Sequence, residues 1–350
     1  MKILFIINNI NQVGGIDRVL NGLSNYFTEK FNYKVEILSI YTKKSELFYK
    51  YNDLVKITHG CKQLTNNKKQ LIKDIKSLLL NCDADIIITF HGFISTSVLL
   101  NKKILKNKKI IVTEHVDYFD STKIRRMIRA ILYRKADKVI VLTNKSKNLY
   151  DRFLNNVQVI QNPISFTSNK ELNLENQKII SVGRLEKVKG FDKLIEIFKR
   201  LPDKYKDWKL DIIGDGIERE KLEMMINRYN LQDRVKIKHF TKNILDEYLN
   251  ASIYALTSEY EGLGLVLIEA KECGLPCISF DIDASKEVIE NNKDGILAKK
   301  GDLDDFVKKL TFLIENLEVR KQYGLNGKKN AEKYNIFKVC EKWKQLFETI

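Results

Sequence analysis

Proline is nearly missing from this chain, with 3 in 350 residues. So little of it excludes a proline-rich spacer or a polyproline recognition segment. Cysteine is sparse and odd in number: Cys61, Cys82, Cys273, Cys277 and Cys340. Such scattering is no disulfide framework. Cys273 and Cys277 are separated by Gly274, Leu275 and Pro276, and no His or Cys pair follows at zinc-like spacing, so both read as core residues. Long apolar runs are also absent, since no uncharged stretch approaches the roughly 20 residues of a membrane-spanning helix. The opening, Met1 to Asn8, is too short in its apolar core for a secretion signal and reads as a first strand. These absences lead to the expectation of a cytoplasmic protein. There is no internal repeat and no low-complexity tract.

What is present fits a soluble chain of two domains, with 44% hydrophobic and 30% charged residues. The net charge of +16 is unevenly placed. Residues 1–164 hold 28 Lys and Arg against 13 Asp and Glu, or +15, and residues 165–350 hold 33 against 32, or +1. A basic first half suits an anionic lipid surface or an anionic substrate, while lysine excess on solvated faces is the plainer reading.

In order along the chain, Lys2 to Asn8, Val35 to Ile40, Asp85 to Phe90, Lys109 to Thr113, Lys138 to Thr143 and Val157 to Ile160 read as strands. Several are apolar on both faces, as in a parallel sheet covered by helices. After the first comes Asn11-Gln-Val-Gly-Gly15 and then a helix; the loop is not the dinucleotide fingerprint, because G-x-G-x-x-G is absent. In such sheets ligands sit beyond the carboxyl ends of strands, which singles out His115 and His91. Over Lys123 to Lys135, Ile124, Met127, Ile128, Ile131 and Leu132 share one helical face and basic residues the other. Two readings stay open for it, a membrane-surface helix or a core-packed helix with a basic outer face.

Residues 165–177 are polar and aperiodic and read as a linker. A second alternating series follows, with strands at Lys178 to Val182, Leu210 to Ile213, Val235 to His239, Ile253 to Leu256 and Cys277 to Phe280. Helices are expected over 302–316, 319–333 and 336–349. The fold class is therefore α/β, with two Rossmann-like domains whose parallel sheets are expected to face across a cleft.

Three loop features of the second half lie at strand ends: Arg184 with Lys189, the turn Gly214-Asp-Gly216, and the stretch from Glu261 to Glu269. Gly262 and Gly264 remove side chains where backbone can approach a ligand. The helix expected from Leu265 has free first N–H groups and a dipole that favours anions. Two cations, a helix start and a glycine-rich loop suit a diphosphate, and two carboxylates suit sugar hydroxyls. Glu269 is expected about two helical turns beyond the turn that holds Glu261.

With these residues the chain resembles the retaining, nucleotide-sugar-dependent glycosyltransferases of family four, which have the GT-B fold. The resemblance is strongest over 178–300. Val182-Gly-Arg-Leu185 with Lys189-Gly190 matches the family's phosphate-binding pair. Glu261 and Glu269 match its E-x7-E motif, Gly14-Gly15 with Arg18 its first glycine loop, His115 its active-site histidine, and Asn162-Pro163 its junction between domains.

The resemblance implies that Arg184 and Lys189 hold the diphosphate, that Glu261 and the N–H groups from Leu263 to Leu265 meet the donor sugar, and that Glu269 meets the ribose. It further implies that main chain near His239 and Phe240 meets the base, with Gly15, Gly214, Gly262 and Gly264 lining the donor. Glu261, His115, Arg184 and Lys189 are the expected catalytic set. No metal and no cofactor are expected; a UDP-sugar is the co-substrate. Transfer would proceed with retention, by front-face attack in which the leaving phosphate takes the acceptor proton. His239 stands where the family often has glycine, and Asp281 to Glu287 lacks its usual glycine.

The expected domains are 1–164, acceptor-binding, joined by the helix 336–350, and 165–335, nucleotide-sugar-binding. The expected reaction moves a hexose or N-acetylhexosamine to an anionic, lipid-linked saccharide acceptor in bacterial surface polysaccharide or lipooligosaccharide synthesis. The expected partners are the donor, the acceptor and an anionic inner-membrane surface, with no nucleic acid. The alternatives are a nucleotide-sugar epimerase of the same fold and a basic nucleic-acid-binding protein.

Overall fold

The computed structural model describes residues 1–10, 14–41, 47–61, 68–115, 121–170 and 172–350. Asn11, Gln12 and Val13 of the first glycine loop lie outside the described residues. The chain divides into two compact units, one of residues 1–165 with 336–350, the other of residues 166–335.

The first unit holds β1 (Lys2–Ile7), α1 (Gly15–Phe31), β2 (Lys34–Tyr41), β3 (Lys56–Cys61), α2 (Lys68–Leu79), β4 (Ile86–Phe90), α3 (Gly92–Leu100), β5 (Lys109–Glu114), α4 (Lys123–Leu132), β6 (Lys138–Val141), α5 (Asn144–Tyr150) and β7 (Val157–Val159). The strands pair in parallel in the order β3-β2-β1-β4-β5-β6-β7. Ile3, Phe5, Ile6 and Ile7 of β1 are wholly buried, as are Ile87, Ile88 and Phe90 of β4. Burial on both faces is why these strands carry no polar alternation.

The second unit holds β8 (Lys178–Val182), α6 (Phe191–Lys199), β9 (Lys209–Ile213), α7 (Arg219–Arg228), β10 (Val235–Lys238), α8 (Ile244–Leu249), β11 (Ile253–Leu256), α9 (Leu265–Glu272), β12 (Cys277–Phe280), α10 (Asp283–Val288), β13 (Gly295–Ala298), α11 (Leu303–Glu315) and α12 (Leu317–Ala331). Its sheet is also parallel, in the order β10-β9-β8-β11-β12-β13. The last helix, α13 (Ile336–Thr349), packs on α1, with Trp343 and Phe347 at 6.5 and 5.5 Å from Phe27 between ring centroids.

The sequence reading missed two strands. β3, Lys-Ile-Thr-His-Gly-Cys, and β13, Gly-Ile-Leu-Ala, each contain glycine and sit at sheet edges, where pairing rather than composition makes the strand. The stretch expected to be a linker is fastened down instead. The Ser168 amide donates to Glu272 at 3.0 Å, Leu174 is buried, and Arg320 donates to the Leu174 carbonyl at 3.0 and 3.2 Å.

The alternative of a core-packed α4 is corrected too. Ile124, Met127, Ile128 and Ile131 face outward, and Leu132 is the helix's one buried residue.

Cys273 and Cys277 are buried, and burial pushes both thiols well up from their ordinary pKa. Next to them a buried ion pair anchors α9. Lys271 Nζ donates to Asp294 at 2.7 Å, and both side chains are almost fully enclosed. Asp294 also accepts from the Glu290 amide at 2.8 Å and from Asn330 at 2.5 Å, on α12. Glycine at 327 leaves room for the lysine stem. Removing one partner of such a pair strands a charge, at a cost of about 3–5 kcal/mol. Lys271→Met should lower stability by about that much, while Lys271→Met with Asp294→Asn should recover most of it. Chemical denaturation of the four proteins of this cycle checks it; strictly additive losses would show that the pair does not couple.

Candidate active site

In the second sheet the strand order reverses between β8 and β11, and the loops after those strands lie side by side. Ligands of open parallel sheets bind at this reversal. Gly190 sits between the loops with φ +65°, and a Cβ there would lie 2.2 Å from the Thr257 carbonyl oxygen. Only glycine permits that approach. Thr257 Oγ1 donates to the Gly190 carbonyl at 2.8 Å, and the Glu259 amide to the Val188 carbonyl at 2.9 Å.

Across this seam Lys189 Nζ donates to both carboxylate oxygens of Glu261, at 2.7 and 2.8 Å. Ser258 Oγ donates to the same carboxylate at 2.7 Å. The two residues expected to serve phosphate and sugar separately are thus bound to each other. The ammonium still has a third proton, and the carboxylate has further lone pairs. Arg184 stands more open, more than half exposed, and pairs with Glu186 at 3.0 Å.

Beyond Glu261, Gly264 takes φ +77° and starts α9 with no side-chain cap. Its carbonyl accepts the Leu267 amide at 2.9 Å, which leaves the amides of Leu265 and Val266 without a partner inside the helix. Leu263 is buried beneath the turn, and Gly262 is half-buried. Glu269 is the fifth residue of α9, little more than one turn in, not two. It is fully buried, and Tyr248 donates to it at 3.1 Å.

At the end of β9, Gly214 lies so close to Gly183 that a Cβ would be 1.8 Å from its carbonyl oxygen. Asp215 then gathers three groups: Arg219 at 2.8 Å, His239 at 2.5 Å and the Phe240 amide at 2.9 Å. Burial would raise its carboxyl, but the Phe240 amide, His239 and Arg219 together hold it below the ordinary value. The Phe240 amide, expected to face a base, is thus engaged by Asp215. His239, where the resemblance suggested glycine, is exposed and serves as a partner of that carboxylate.

The first unit reverses between β1 and β4. Gly15 is the first residue of α1, with Gly14 as an extended, uncapped start, and a Cβ at Gly14 would meet nothing within 4 Å. His91, after β4, has φ +75°, rare for a residue with a side chain, and its Nδ1 is buried with no hydrogen-bond partner among the described residues. His115, after β5, stacks on Phe90 at 5.0 Å. Thr113 Oγ1 donates to the Thr89 carbonyl at 2.8 Å, so it accepts from His115 Nε2–H, also at 2.8 Å. His115 Nδ1 faces the Asn162 amide at 3.4 Å. Both ring nitrogens therefore meet protein, and His115 can donate or take a catalytic proton only if the Asn162 contact opens. Burial, with nearby His91, holds its pKa down to about 3.

Sequence reasoning missed Ser258, Arg219, Tyr248, Glu114 and Thr113. Arg219 stands four residues after Asp215 and Ser258 three before Glu261, spacings that could have flagged both. Tyr248 gives no such signal.

The histidine carries a consequence for stability. Unfolded, His115 takes its proton near its ordinary 6.5; folded, it stays neutral down to about 3. Below pH 6.5 the unfolded state therefore binds more protons, and stability is lost as pH falls toward 3. At pH 5 the loss from this one residue is about 2 kcal/mol. Comparing urea denaturation at pH 7.5 and 5 for the wild type and His115→Gln should show a smaller acid loss in the variant; equal losses would mean a normally titrating ring.

Known proteins resemble this chain along almost its whole length. The family described as Glycosyl transferases group 1 matches residues 165–330, and that described as Glycosyltransferase Family 4 matches residues 13–167. An uncharacterized glycosyltransferase of Haemophilus influenzae is 33% identical, and the amylovoran biosynthesis glycosyltransferase AmsD of Erwinia amylovora is 31% identical, each match covering 99% of both chains. A Campylobacter jejuni alpha-1,4-N-acetyl-D-galactosaminyltransferase, whose name carries a PP-undecaprenol-linked saccharide, is 27% identical over 100% of this chain and 99% of its own. A TarM mutant of S. aureus, crystallised with fondaparinux, alpha-GlcNAc-glycerol and UDP, superposes with a TM-score of 0.84 at 18% identity, covering 99% of each chain. Two Rossmann-like parallel sheets and relatives above 30% identity along almost the whole chain place this protein among the family-four glycosyltransferases of GT-B fold.

Proposed function

We propose that the enzyme transfers a hexose or N-acetylhexosamine from a UDP-sugar, with retention and without a metal, to an anionic, lipid-linked saccharide in bacterial surface polysaccharide synthesis. The observation that carries the donor half is the Lys189–Glu261 pair at the β8/β11 reversal, beside the uncapped start of α9. A diphosphate set there meets the third proton of Lys189, the guanidinium of Arg184 and the amides of Leu265 and Val266. The Arg184–Glu186 pair is exposed and weak, so it yields to a doubly charged ligand. Glu261 keeps acceptor capacity for a sugar hydroxyl while it holds Lys189.

Positive charge fixed where the leaving diphosphate gathers negative charge lowers the barrier by several kcal/mol. The departing phosphate oxygen then takes the proton of the attacking hydroxyl on the same face of the sugar. The base would lie near the Asp215–His239–Phe240 turn, which that carboxylate holds in place. The acceptor half of the reading rests on the basic charge of residues 1–164 and on the names of the Erwinia and Campylobacter relatives.

The test is a thermal-shift screen of UDP-, GDP- and ADP-sugars followed by assay of nucleotide release with a saccharide acceptor and EDTA present. A UDP-sugar should raise the melting temperature. Glu261→Gln should cut kcat by about 10²–10³ with the fold intact, and Arg184→Ala should weaken donor binding. Full activity in both variants, or a sugar isomer still attached to UDP as the product, would reject the proposal.

A further inference from the structure

Helix α4 is amphipathic in the inverted sense. Ile124, Met127, Ile128 and Ile131 fall at i, i+3, i+4 and i+7, one continuous stripe, and all four are 41–68% exposed. What faces inward is charge. Arg129 Nη1 pairs with buried Glu114 at 3.3 Å, and Tyr133, just after the helix, donates to the same carboxylate. The guanidinium lies against Gly92, where a Cβ would be 2.3 Å from it. The helix is therefore fastened by an ion pair, and its apolar side is left without a protein partner among the described residues. A helix start is supplied as well: Thr122 caps it by accepting the Arg125 amide at 3.4 Å.

Charge decides what covers that stripe. From Lys123 to Lys135 there are six basic residues (Lys123, Arg125, Arg126, Arg129, Arg134 and Lys135) and no acidic one. Lys123 and Arg125 fall at either border of the stripe, about 100° from Ile124 on the helical wheel. A second copy of this helix would bring like charges together along the seam. An anionic lipid bilayer satisfies both features, because the apolar stripe enters the acyl boundary while the flanking cations meet headgroups. We infer that α4 is the surface by which this enzyme lies on an anionic membrane, with the stripe Ile124–Met127–Ile128–Ile131 buried in it.

The fastening gives this surface a place in the chemistry. Glu114, which holds Arg129, is the last residue of β5, and His115 follows it directly. A lipid-linked acceptor delivered at the bilayer would thus arrive at the strand end that carries His115. Membrane binding itself depends on none of the donor residues.

Flotation of the full chain with phosphatidylcholine vesicles, with and without about 30% phosphatidylglycerol, tests the inference. The wild type should float with the anionic vesicles only, and less so as salt rises. Ile124→Ser/Met127→Ser/Ile131→Ser should reduce binding at least about tenfold, as should Lys123→Glu/Arg125→Glu, with melting temperatures unchanged because these side chains are exposed. Glu261→Gln should float like the wild type, so failure of the donor reading leaves this result standing. Three outcomes would overturn it: no flotation with anionic vesicles, flotation indifferent to the triple serine variant, or a dimer in light scattering that the triple variant dissolves.

Discussion

One lysine and one glutamate, 72 positions apart in sequence, hold each other across two loops, and the proposed donor site depends on that bond. Apart from a single 3-10 turn at Lys187–Lys189, no regular element fixes one loop against the other. What holds them is Lys189 on Glu261, Thr257 on the Gly190 carbonyl, Ser258 on Glu261 and the Glu259 amide on the Val188 carbonyl. All of these need the loops in contact, and contact is possible because residue 190 lacks a Cβ. A side chain there would have to displace the end of β11, and with it the turn that starts α9. The glycine and the ion pair are two parts of one device.

The first unit meets the same topological situation differently. Beside its β1/β4 reversal, at the ends of β4 and β5, polar groups also collect, but they are spent inwardly, in the run from His115 through Thr113 to the Thr89 carbonyl. Glu114 lies beside them, pushed up by burial and pulled back by Arg129 and Tyr133. The second unit presents ions with unused hydrogen-bonding capacity; the first presents a neutral ring and a backbone strained at His91. Strain of that kind persists only where the surroundings over-determine it.

Much of this was legible in the chain. Strands apolar on both faces announced two parallel sheets, and the glycines at 183, 190, 214 and 264 announced loops at their ends. Partners distant in sequence were not legible. Nothing at position 189 says that its ammonium meets residue 261, or at position 248 that its hydroxyl reaches Glu269. The periodicity of α4 was plain, but periodicity does not say which face turns inward. That was decided by Glu114, a carboxylate buried at the end of β5, which requires a cation and draws Arg129 to it. The apolar stripe follows from that choice, since it must point the other way.

The ion pairs around the proposed donor loops also say how a doubly charged ligand could be received where three cations already hold carboxylates. Arg184 is paired with Glu186, Lys193 with Glu259 and Lys189 with Glu261, so three cations meet three carboxylates. The first two pairs are exposed enough that water already weakens them, and exchange for a phosphate costs little. The third is sheltered, and breaking it would strand a carboxylate. On the proposed reading, Lys189 therefore has most to gain by staying on Glu261 and offering its remaining proton, while Arg184 would move. One cation would then be a fixed post and the other a hinged arm, and the difference comes from how much water each pair can reach.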